Sequence, residues 1–192
     1  MNRGMDGMDQ IERPRVNSFG VHDDGYRAWW DVPAEVASAL DDLAAAYEGA
    51  RLGDDFHACP HCYTDYDIAY MRRVPPLQML NSDIGKIAFC LTTTIGSPHH
   101  IAYFVPAMVS AQFRGVAIED AMIMKQLGRI AAEDWTAERR DALRCAYQAY
   151  FAWRPADGVD LDEPGYRTWI SEMLDRLPHA EPVERQVPGW DR

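Results

Sequence analysis

Apolar positions recur at helical spacing through most of residues 31–177. Val36, Leu40, Leu43, Ala44 and Tyr47 fall on one face of a helix that Asp31 can cap and Gly49 can stop. A second stripe, Ile84, Ile87, Ala88, Leu91 and Ile95, follows Ser82 as a cap and precedes Gly96 as a stop. Ser97-Pro98 predicts a third helix start, because proline at the first helical position lacks only an N–H that the helix would not use. That helix would bury Ile101, Phe104, Val105 and Met108. Its Pro106 lies beyond the first turn, so it withholds a bond from the Ala102 carbonyl and predicts a kink. Ile123, Leu127 and Ile130 form a short fourth stripe. Thr136 starts a fifth helix bearing Leu143, Ala146, Tyr147, Tyr150 and Phe151, and the sixth carries Tyr166, Trp169, Ile170, Met173, Leu174 and Leu177. Strand signal is confined to Ile87–Thr94, whose end is β-branched, and helix is the preferred assignment there. The pattern predicts a mainly α protein, a compact bundle of about six helices over Trp29–Leu177.

The ends differ from this body. Residues 1–30 scatter glycines among charges with no surviving period, which predicts an irregular lead-in. Residues 178–192 place Pro178, Pro182 and Pro188 among charges, which predicts an extended mobile tail. Residues 31–177 form the one expected domain. Within that tail, Trp190 is a side chain that could insert into a partner's pocket.

Composition narrows the function classes. The chain has 192 residues, 47% of them apolar, and a formal charge of −11. No apolar run approaches the roughly 20 residues that span a bilayer, and Met1–Arg15 holds no apolar stretch suited to a secretory signal. A charge of −11 with no basic stripe argues against nucleic acid and favours protein partners, basic ones by steering. Four cysteines are too few for a disulfide scaffold. The expectation is a soluble, cytoplasmic protein.

Candidate chemistry concentrates in Phe56-His57-Ala58-Cys59-Pro60-His61-Cys62-Tyr63. Two thiols at C-x-x-C spacing reach one point, so they can share a metal ion or close a small disulfide ring. A structural zinc site needs four N or S ligands. Cys59 and Cys62 supply two, and His99 and His100, in the first turn of the third helix, are the candidates for the others. His57 and His61 are expected to be solvated, and Cys90 and Cys145 to be buried inert thiols inside helices. The alternative is redox chemistry. Cys-Pro-His-Cys-Tyr resembles the active site of the disulfide-oxidase branch of the thioredoxin superfamily. That resemblance makes Cys59 the low-pKa nucleophile and Cys62 the resolving thiol, with Val105-Pro106 as a facing cis-proline stretch. The polar, turn-like Leu52–His57 stands where that fold needs a buried strand, and no export signal precedes it.

Other constellations are weaker. Acidic pairs such as Asp41-Asp42, Asp54-Asp55 and Glu133-Asp134 sit in loops or at helix starts, where they complement the helix dipole. Asp157–Glu163 lacks the order of a calcium loop. No G-x-G-x-x-G, G-x-x-x-x-G-K or G-x-S-x-G is present, which removes the usual signals for dinucleotides, nucleoside triphosphates and serine hydrolysis.

The wider layout resembles a family of uncharacterised bacterial all-helical proteins. The shared features run from residue 56 to 154. They are the C-x-x-C loop followed by a short helix, the Pro75-Pro76-Leu77-Gln78-Met79-Leu80 stretch, a helix ending in Thr92-Thr93-Thr94-Ile95-Gly96, and Tyr103-Phe104-Val105-Pro106 in place of a Phe-Leu-Pro-Arg segment. Ala107 stands where that family places arginine, so no role for the arginine carries over. The resemblance implies a helical Pro106; that family has no assigned activity, so the resemblance leaves function open. With no catalytic constellation in view, the expected function is a non-enzymatic interaction or regulatory module whose cysteine loop is a structural clip or partial zinc site. Thiol–disulfide exchange by Cys59 and Cys62 is the alternative.

Overall fold

The helix that begins at Ser97-Pro98 is the centre of the molecule. In the computed structural model, which describes residues 32–115, 118, 120–153 and 166–177, this helix runs unbroken from Pro98 to Phe113 and is buried on nearly every side. Its sequence lacks a polar stripe, as a helix surrounded by neighbours requires. Ile101, Phe104, Val105 and Met108 are all buried, and Pro106 lies within the helix, as the implied helical reading expects. The ring at Pro106 leaves the Ala102 carbonyl without the usual donor four residues on.

The described residues form seven α-helices, this one included: α1 (Ala34–Ala46), α2 (Asp65–Arg73), α3 (Asn81–Cys90), α4 (Pro98–Phe113), α5 (Asp120–Leu127), α6 (Ala137–Trp153) and α7 (Tyr166–Arg176). The chain is mainly helical, with no strand among the described residues. Helices α1, α3 and α5 and the 3-10 turn Pro76–Gln78 pack on α4, α6 packs along α1, and α7 packs on α6. Val36, Leu40, Leu43 and Tyr47 are buried as their spacing predicts. No helix among the described residues is long and apolar enough to cross a membrane. Asp31, Trp29, Trp190, the lead-in 1–30 and the tail 178–192 lie outside the described residues.

Four local expectations change. The seventh helix is α2, which hydrophobic spacing alone did not count. Its signal is polar: Thr64 accepts from the Asp67 N–H at 3.2 Å while Asp67 accepts from the Thr64 N–H at 2.9 Å, a reciprocal capping box. Ser82 is not a cap: Leu80 holds that position, and Ser82 is buried inside the first turn of α3. Helix α3 stops at Cys90, six residues before Gly96, because Thr92 adopts a left-handed backbone with φ of 61°. The weighed strand over Ile87–Thr94 is therefore half helix and half tight turn. A fully buried residue from a distant helix holds that ending. Gln126 on α5 donates to the Ala88 carbonyl at 2.7 Å and the Leu91 carbonyl at 3.4 Å. Ile170 and Leu174 in α7 and Leu177 just after it are buried while Trp169, expected on the same stripe, is 37% exposed.

Candidate functional site

The cysteine loop lies between α1 and α2, and its backbone is fastened to the turn that ends α3. The Cys59 N–H donates to the Thr94 carbonyl at 2.6 Å and the Gly96 N–H donates to the His57 carbonyl at 2.9 Å, flanking an antiparallel bridge between Ala58 and Ile95. The Cys59 carbonyl accepts from the N–H groups of Cys62 and Tyr63, both at 3.0 Å, which closes the loop on itself. Arg72 on α2 completes the frame by donating to the carbonyls of Asp54 and Phe56. Gly96 is required twice here. Its φ is +63°, and an added Cβ would come within 3.1 Å of the His100 Cβ.

The thiols at this site are unequal. Cys59 is half-buried and Cys62 exposed. The His61 backbone N–H and then the His61 ring, with Nδ1 at 3.8 Å from Cys59 Sγ, lower the Cys59 thiol to about 7, while its bond to Cys59 and partial burial push Cys62 upward. Alkylation of Cys59 by iodoacetamide should therefore rise with pH through a midpoint near 7 and level off above it. His61→Ala should move that midpoint only part of the way toward the ordinary thiol value of 9.0, because the backbone N–H, the larger cause, remains. Site-resolved mass spectrometry of the alkylated protein checks this; a parent midpoint at the ordinary value would remove His61 from the site.

Two cysteines depart from expectation. Cys145 is exposed on α6 rather than buried. Cys90 is half-buried at the end of α3, close enough to Tyr63 and Cys62 to raise both. Tyr63 is buried beneath the Lys86 ammonium, 4.5 Å from its ring centre, and burial first and Cys90 second push its hydroxyl well above the usual range. His57 and His61 are exposed, as expected.

The histidines of α4 do not join the thiols. His100 is 2% exposed. Its Nδ1 accepts from the Ser97 N–H at 2.9 Å, so Nε2 carries the proton and donates to Asp55 Oδ1 at 3.3 Å. Its ring meets the Phe56 ring edge-on at 5.2 Å. His99 points the other way, to Asp134 at 3.1 Å and Glu133 at 3.7 Å. Both histidines line a polar cleft of about 380 Å3 shared with Asp55, Asp134 and Arg139. Among the described residues no group of three or more His, Cys, Asp or Glu is placed to hold a metal ion. The expected ligands Cys59, Cys62, His99 and His100 are not brought together as such a group, and the two histidines turn to different partners.

A second concavity was not visible in the sequence. The end of α1, the Pro75-Pro76-Leu77 corner and the Tyr103–Pro106 turn of α4 enclose a groove of about 570 Å3. Arg51, Arg72 and Arg73 line it with Glu48 as the one acidic residue. Its walls come from elements far apart in the chain, so no spacing signals it.

No family model, curated protein or solved structure matches the chain.

Proposed function

We propose that this protein is a non-enzymatic interaction module of the cytoplasm, working through contacts with another protein, with the Cys59–Cys62 loop as a structural clip. One observation carries this. The backbone of the loop is committed to holding the Thr92–Gly96 turn, and Pro106 lies inside a helix rather than in a cis turn facing the thiols. Large apolar side chains left outside, Leu77 at 56% and Phe89 at 69% exposure, suit a surface that meets a partner. Four free thiols suit a reducing compartment, and the charge of −11 disfavours nucleic acid.

The second reading, thiol–disulfide exchange, is favoured by the unequal thiols alone, Cys59 low and Cys62 high. Recovery of bound proteins by the parent, by Cys62→Ser and by Cys59→Ser/Cys62→Ser separates the two. A module recovers the same non-covalent partners with all three, within about twofold for a site not in contact with the partner. An exchange enzyme accumulates mixed disulfides through Cys59 in Cys62→Ser, released by a thiol reductant and absent from the double variant. That outcome would replace the module with the enzyme.

A further inference from the structure

The groove at Pro106 reverses the charge of the molecule that carries it. The whole chain bears −11, yet the charged residues lining the groove are three arginines and one glutamate. Two of the arginines are set in place. Arg51 donates to the Glu48 and Ala50 carbonyls, and Arg72 to those of Asp54 and Phe56. These are carbonyl acceptors, so they orient each guanidinium without cancelling its charge. Arg73 is exposed on the rim, and none of the three meets a carboxylate among the described residues. Between them lies apolar surface: the exposed Leu77, the half-buried Tyr103 and the buried Pro106. Cations around an apolar floor form a surface complementary to carboxylates flanking an apolar anchor.

We infer that this groove is the docking site for a short acidic segment of a partner protein, one that seats a large apolar side chain against Leu77, Tyr103 and Pro106 and its carboxylates on Arg51, Arg72 and Arg73. The inference rests on the interaction-module reading and gives it a place and a partner chemistry. The partner favoured by local charge is acidic, opposite to the basic one that net charge alone favours. The groove volume lies within the range of built recognition pockets, roughly 300–1,000 Å3.

The test uses the full chain and a displayed library of random peptides of about 12 residues, long enough to cross such a groove. Enriched peptides should pair Asp or Glu with Leu, Phe or Trp. By fluorescence polarisation, Arg73→Glu and Leu77→Asp should each weaken such a peptide by about tenfold or more. Both side chains are exposed, so thermal melts should stay near those of the parent. Enriched peptides without acidic bias would overturn the inference, as would binding that both variants leave within about twofold of the parent. No enrichment would overturn it as well. The module is judged separately: partners recovered non-covalently from cells and indifferent to both variants sink the groove and keep the module, whereas Cys59-linked clients alone sink the module.

Discussion

Phe113→Ala lowers the free energy of unfolding by about 4 kcal/mol, the largest loss expected from any single substitution discussed. Phe113 closes α4 and is fully buried. Its ring stacks on Tyr150 with centres 4.1 Å apart and meets Tyr147 edge-on at 5.1 Å. Truncation removes the transferred apolar area, leaves a cavity between α4 and α6, and forfeits two ring pairs worth about 0.5–1.5 kcal/mol each. The neighbouring bond from the Tyr147 hydroxyl to Gln112 Oε1, 2.8 Å long and buried, keeps the helices from closing freely over that cavity. Urea unfolding followed by helical circular dichroism measures the loss, and Phe113→Leu should recover part of it. A loss under about 1 kcal/mol would mean that the aromatic cluster does not hold α6 to the body.

Phe113 also marks where spacing was sufficient and where it was not. The apolar positions of α1, α5 and α6 were legible because each lies on a periodic stripe that one buried face explains, and those of α4 because apolar residues run almost without interruption. Ser97-Pro98 was legible because its chemistry is local. The end of α3 was not, since Thr92 turns left-handed in a frame supplied by Gln126 from α5 and by Arg129, which donates to the Thr92 hydroxyl at 2.8 Å. Helix α2 hid behind a polar cap rather than an apolar face. At the candidate site the unequal cysteine pair could be suspected from Cys-Pro-His-Cys. The separation of His99 and His100 from it could not, because adjacent residues on a helix point about 100° apart and their partners, Asp134 and Asp55, lie 35 and 45 residues away.

His100→Ala should cost about 3 kcal/mol, and the same amount with a metal chelator present as without it. The side chain does two things that alanine cannot. It accepts from the Ser97 N–H, satisfying a donor at the start of α4, and it ties the loop before Cys59 to that helix through Asp55. It also fills the space against Phe56 and Gly96. His100→Gln should restore part of the loss, since glutamine at this helix position can reach back to the same N–H. Denaturant unfolding of the three proteins with and without chelator decides it. A parent destabilised by chelator to the level of His100→Ala would make His100 a metal ligand and overturn its role as a cap.

The packing of α1 along α6 has a bearing on how the chain is made. About 90 residues separate the end of the first helix from the start of the sixth. At roughly 5–20 residues per second, the ribosome needs on the order of 5–20 s to deliver the surface that α1 will cover. Among the described helices, α4 is the other main element packed on α1, and it is itself made only in the second half of that interval. The nascent chain therefore carries an apolar helix face open to chaperones until translation is nearly through the described body, and the docking of α6 is the event that withdraws it.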